Sequence, residues 1–184
     1  MDAHLWAVLD VLPFAVIMLG SDKLVRGMNA SANALLREAD AVRLDGSRVR
    51  GADPAHDAAL QSAMTAQCAS VLRLPRNSGK RAVELSIVPL CGECAAIVIS
   101  DPARCVAPST EPLRELYGLT PAEARVVAAV VEGEGGPKTA GELGMSVNTL
   151  RRHLKSIFIK LQVERQSELV RVVSQGVASL HLDD

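Results

Sequence analysis

Residues 119–170 read LTPAEARVVAAVVEGEGGPKTAGELGMSVNTLRRHLKSIFIKLQVERQSELV, and the capping and stop signals in this stretch decide the fold of the second half of the chain. Thr120 is followed by Pro121 and, three residues on, by Glu123, a capping box with proline at the first helical position. Val126, Val127, Val130 and Val131 extend it as one apolar stripe. The run EGGP at 134–137 stops that helix. Thr139–Leu143 predicts a short helix ending at Gly144, a natural residue for the left-handed position after a helix. Ser146 caps a longer helix, Ser146–Leu161, with Leu150, Leu154, Ile157, Phe158 and Leu161 on one side and Arg151, Arg152, Lys155 and Ser156 on the other. A last helix covers Gln166–Ser174.

A helix, a glycine turn and a second helix with one basic face form a helix-turn-helix pattern. The second helix must dock on its own domain with one side and carry long cations on the other, to reach phosphates and guanine edges in a major groove. Charge agrees with this. Between 146 and 165, Arg151, Arg152, Lys155, Lys160 and Arg165 stand against Glu164 alone, on a chain whose net charge is −1. A basic segment on a mildly acidic body is the footprint of a small nucleic-acid contact. Aromatic residues make up only 2%, which argues against binding modes that stack bases on aromatic rings.

On these residues, Leu119–Val170 resembles the C-terminal DNA-binding domain of the LuxR and NarL/FixJ families. The matching text is LTPAE, EG at 132–133, ELGMS at 142–146, NTLRRHL at 148–154, KL at 160–161, Val163 and SELV at 167–170. The resemblance implies that Arg151, Arg152 and Lys155 face base edges. It implies that Thr149, His153 and Lys160 contact phosphates or position the helix. It also implies that the last helix serves dimerisation on double-stranded DNA. Val170 and Val177, seven residues apart, are the apolar positions expected to line the contact of a homodimer. The chain departs from the family at Thr139, where Ile is usual, at Gly141 inside the short helix, and at EGGP. Those departures motivate an alternative: a signalling adaptor whose degenerate helix-turn-helix serves protein contact.

Upstream, Leu5–Val11 predicts a helical turn. Ala15–Leu19 and Leu24–Met28 predict a hairpin across Gly20–Lys23. Asn29–Ala39 predicts a helix, as does the stretch from Asp53-Pro54 through Ala58–Ala66. Ser70–Leu74, Ala82–Leu90 and Ala95–Ser100 predict strands. This order predicts an α+β chain: an antiparallel-sheet domain over 1–100, a proline-bearing linker over 101–118, and an all-α, four-helix domain over 119–184. LDVLPFAVIML followed by NASANALL, with AVELSIVPL and AAIVIS, resembles a PAS domain. That resemblance implies a sensory domain taking a small-molecule or protein signal.

Residues 11–19, VLPFAVIML, are too few to span a bilayer, and MDAH is no basic leader; a cytoplasmic protein without a membrane partner is expected. No phosphate-binding glycine loop or nucleophile–base pair is present, so no enzyme, cofactor or metal is expected. Cys91-Gly92-Glu93-Cys94 lies between two strands and predicts a two-residue type II′ turn with facing thiols, read as reduced, with a regulatory disulfide, a soft-metal site or a thiol redox enzyme as the alternatives. Cys68 and Cys105 could complete a ligand set, but nothing in the spacing requires it. His56, just inside a helix start, reads as a solvated polar residue.

Overall fold

The computed structural model describes residues 3–66, 68–103, 108–133 and 136–180. The chain divides into two compact units, Met1–Arg104 and Cys105–Asp184.

In the first unit, α1 (Ala3–Asp10) leads into β1 (Ala15–Leu19) and β2 (Val25–Met28), then α2 (Ala30–Glu38), β3 (Val42–Asp45), β4 (Arg48–Gly51), α3 (Pro54–Thr65), β5 (Ser70–Leu74), β6 (Val83–Pro89) and β7 (Ala95–Ser100). Five strands form one sheet in the order β2-β1-β7-β6-β5, every pairing antiparallel. Side chains alternate across a strand, and the buried alternates Ile17, Leu85, Ile87, Ile97 and Ile99 build the core face. Leu35 and Leu36 of α2 and Leu60 and Met64 of α3 close over it. The expected antiparallel sheet with helices is the observed fold.

Asn29 fastens this unit. It caps α2 through its Oδ1, which accepts from the Ala32 N–H at 3.0 Å and from the Val16 N–H at 2.8 Å. Its Nδ2 donates to the carbonyls of Leu9 and Phe14, both at 2.8 Å. One buried amide thus satisfies the end of α1, the start of β1 and the start of α2. Trp6 of α1 lies over Gly27, where an added Cβ would meet the indole at 2.2 Å.

The β3–β4 hairpin is absent from the sequence expectations. Its register pairs Asp45 with Arg48, leaving Gly46-Ser47 as the loop, with Gly46 at φ +59°. The Cys91–Cys94 turn also differs. Pro89 pairs with Ala95, and the Leu90 N–H donates to the Cys94 carbonyl at 2.8 Å. Cys91 therefore lies in the loop, opposite no strand residue. Gly92 and Glu93 both take positive φ, 68° and 60°, whereas type II′ requires it only at the first position. His56 is not solvated: its side chain is 18% exposed and Nδ1 lies 2.6 Å from Asp53 Oδ2.

The second unit consists of α4 (Thr110–Tyr117), α5 (Pro121–Glu132), α6 (Pro137–Glu142), α7 (Val147–Leu161) and α8 (Gln166–Gln175), followed by a 3-10 turn, Val177–Ser179. The core is Leu113, Val126, Val127, Val130, Leu150, Ile157, Leu169 and Val173 with their neighbours. The linker expected over 101–118 is thus helical from Thr110, and Leu113 is fully buried in this core. Pro112 is tolerated because it sits in the first turn, where its missing N–H has no helical partner to lose. Arg104–Ala107 of that stretch, with Cys105 among them, and Glu134 and Gly135 of EGGP lie outside the described residues.

Replacing Asn29 by Ala leaves buried N–H and carbonyl groups without partners and should cost about 3 kcal/mol. Urea unfolding followed by the emission of Trp6, the chain's one tryptophan, measures this; a loss under about 1 kcal/mol, the ordinary value of one hydrogen bond, would contradict the role given to Asn29.

Candidate nucleic-acid interface

The helix-turn-helix is built from backbone signals on both sides of its turn. Helix α6 ends with the Met145 N–H donating to the Ala140 carbonyl at 2.9 Å and the Gly144 N–H to the Gly141 carbonyl at 3.1 Å. With Gly144 at φ +65° this is a Schellman motif, which reverses the chain without orphaned carbonyls. Ser146 then caps α7, its Oγ accepting from the Thr149 N–H at 3.1 Å and lying 2.8 Å from Thr149 Oγ1. Thr139, at the position where Ile was expected, is buried and packs its helix all the same.

On α7, Leu150, Ile157 and Leu161 are buried and Leu154 and Phe158 pack partly against the core. Arg151, Arg152 and Lys155 are exposed. At about 100° per residue, Asn148, Arg152, Lys155 and Ile159 share an arc of about 60°, with Arg151 on one flank and Thr149 on the other. Ile159 is 72% exposed. His153 is half-buried and lies about 100° around the helix from Arg152, beyond the flank that Thr149 marks. The structure thus gathers Thr149, Arg151, Arg152 and Lys155 on one surface, with Asn148 and Ile159 at the two ends of its central stripe, neither of them singled out by the sequence reading.

Lys160 is held within its own domain, in keeping with the positioning role that is one of the two the resemblance implies. Its Nζ donates to Glu123 Oε2 at 2.7 Å and to the Gly118 carbonyl at 2.9 Å. Glu123 is 5% exposed and also accepts from Ser156 Oγ at 2.6 Å and from the Thr120 N–H at 2.8 Å. Burial by itself would raise the Glu123 pKa. The hydrogen bonds from Lys160, Ser156 and Thr120 outweigh it and bring the value from the usual 4.5 to about 2. Lys160 and Ser156, four residues apart on one side of α7, therefore clamp that helix to the N-terminus of α5. The capping box pointed to Glu123; the cross-helix contacts had no sequence signal.

The expected dimer residues fall differently from a single strip. Val170 is partly buried against the core, and α8 ends at Gln175. Val177 follows in the 3-10 turn, 60% exposed. A seven-residue spacing does not align them, because the helix does not continue that far.

Residues 118–173 match the family described as "Bacterial regulatory proteins, luxR family". This part of the chain is a domain of that family. Among solved structures, the chain is similar to the phage VqmA–DPO complex, at 18% identity and a TM-score of 0.39, over 96% of this chain and 89% of that one. It is also similar to the Vibrio cholerae VqmA dimer solved in the absence of target DNA, at 14% identity and a TM-score of 0.38, over 97% and 90% of the two chains. Among curated proteins no match is found.

Two outcomes follow from this geometry. Glu123 has a folded-state pKa below its ordinary one, so its stabilisation is complete above pH 4.5 and is lost as the pH falls toward 2, an effect of about 3 kcal/mol. Glu123→Gln should flatten the acid limb of a plot of stability against pH in that window; an unchanged acid limb would contradict the clamp. Separately, an added Cβ at Gly141 meets nothing within 4 Å. Gly141→Ala should therefore raise stability by about 0.5–1 kcal/mol, measured as an increase in the denaturation midpoint.

Proposed function

We propose that the chain is a transcription regulator that binds double-stranded DNA in a sequence-specific way, with α7 entering the major groove. The observation that carries this reading is the set of exposed cations Arg151, Arg152 and Lys155 on the outward face of a helix whose opposite side is packed in the core and whose flank is clamped by Glu123. In this reading Arg152 and Lys155 reach base edges directly. Arg151 reads an edge or a phosphate from the flank, and Thr149 and His153 meet the backbone. Lys160 acts by positioning α7, since its ammonium is committed within the domain. The protein works by binding and not by catalysis, in the cytoplasm. No helix among the described residues is long and apolar enough to cross a membrane.

Two copies give two half-sites about one turn of DNA apart, the arrangement expected of a two-fold dimer. Val177, exposed on the 3-10 turn, is the position we assign to that contact, with Val170 beside the core. The first unit then serves as the sensory part. One of its cavities, of about 460 Å³ and lined by Met64, Ile87, Leu90, Lys23 and Cys94 among others, is of a size that takes a small molecule; another, of about 540 Å³, is lined by Phe14, Val71 and Leu85 among others.

Selection of bound duplexes from a random library should yield a defined motif with two-fold symmetry. Arg152→Ala and Lys155→Ala should each weaken binding to that motif by about 1–3 kcal/mol with circular dichroism unchanged. Retention of full affinity by both variants would remove α7 as the reading helix. Val170→Asp with Val177→Asp should weaken binding cooperatively; an unchanged monomer–dimer equilibrium by sedimentation would remove that interface alone. A failure to enrich any motif would favour the adaptor reading, which the unusual α6 motivates.

A further inference from the structure

The connection between β6 and β7 contains a pair of thiols that the DNA-binding reading leaves unused. Cys91 and Cys94 are separated by Gly92 and Glu93, and the segment Cys91–Glu93 forms a single 3-10 turn. Two consecutive positive φ values, at Gly92 and Glu93, turn the chain back on itself between the cysteines. For Glu93 this conformation is uncommon, since a side chain disfavours the left-handed region. The Lys23 ammonium donates to the Glu93 carbonyl at 3.3 Å and fastens the turn to the β1–β2 connection.

This geometry decides what the pair can do. Cys91 and Cys94 are the first and last residues of a four-residue turn whose central pair, Gly92 and Glu93, both have positive φ, and the Cα atoms at the two ends of a β-turn lie less than about 7 Å apart. A disulfide spans Cα atoms about 4.4–6.8 Å apart. Both thiols are free; Cys91 is exposed and Cys94 is half-exposed. The Cys94 sulfur lies 3.7 Å from the Gly92 carbonyl, folded back over the turn. Among the described residues no group of three or more potential ligands gathers for a metal ion.

We propose that Cys91 and Cys94 form a peroxide-sensitive dithiol site that closes an intramolecular disulfide across the β6–β7 connection. One thiolate attacks a hydroperoxide oxygen and breaks the O–O bond, giving a sulfenic acid and water or an alcohol. The second thiol attacks that sulfur, forming the S–S bond and releasing water. Two thiols are oxidised by two electrons and one peroxide is reduced. Cys94 also lines the 460 Å³ cavity beside Lys23 and Leu90, so the closed ring fixes one edge of that cavity.

The full chain is treated with hydrogen peroxide, blocked with N-ethylmaleimide and digested with trypsin. Cleavage after Arg81 and Arg104 isolates Ala82–Arg104, which contains Cys91 and Cys94 and no other cysteine. The expected product is this peptide two hydrogens lighter and unblocked at both cysteines, restored to the doubly blocked form by dithiothreitol before blocking. The Cys68→Ser variant should behave identically. In Cys91→Ser, dimedone should trap a sulfenic acid at Cys94 with no intramolecular ring. Full blocking of both cysteines after peroxide, a cross-link from either to Cys68 or Cys105, a linkage between two chains, or separate conversion to sulfinic acids would each overturn the proposal.

Discussion

The Glu123 carboxylate is the interaction on which the presentation of α7 depends. It belongs to the capping box of α5, and across the domain it receives Ser156 and Lys160 of α7. A buried charge is costly unless it is paired and hydrogen-bonded, and here three residues supply the bonds. Once the carboxylate is buried, rotation of α7 about its axis would break bonds to a group that water cannot reach. The apolar stripe Leu150–Ile157–Leu161 sets which side docks, and the carboxylate sets the rotation. The exposed face of cations follows from both, without any contact of its own.

The first unit solves a similar problem with a neutral group. Asn29 satisfies four backbone partners at the point where α1, β1 and α2 meet, and the sheet is then built from alternating apolar residues. An amide that both donates and accepts suits a junction where carbonyls of one segment meet N–H groups of another. A carboxylate, which only accepts, suits the junction of a helix N-terminus with a hydroxyl and an ammonium.

Much of this architecture was legible where a local rule and a burial pattern agree. Thr120-Pro121-Glu123, Asp53-Pro54 and Gly144 act through neighbouring backbone, so their positions are written in spacing alone. The strands of the sheet are equally plain because Ile97 and Ile99, or Leu85 and Ile87, alternate against one core. The β3–β4 hairpin was missed because only Val42, Val49 and Gly51 of its eight residues are buried, which leaves a charged text without apolar alternation. Helix α4 was hidden by prolines, and its anchor, Leu113, is meaningful only beside α5 and the C-terminal turn. The same reason applies at the interface. Arg151, Arg152 and Lys155 declare themselves by type and spacing. For Lys160 the resemblance left phosphate contact and helix positioning both open, because the partner that decides between them is 37 residues away.

The central claim is that the outward cations of α7 meet DNA phosphates and bases. Its most direct test is the salt dependence of binding of the full chain to its selected duplex, beside the same titration for Arg152→Ala. Counterion release makes log K fall linearly with log salt, by roughly 0.9 for each phosphate neutralised. The account predicts a steep negative slope for the native chain. For the variant it predicts weaker binding, with a slope shallower by about one for each phosphate contact that the arginine makes in the bound dimer. A flat plot for the native chain, or no duplex binding at low salt, would contradict it.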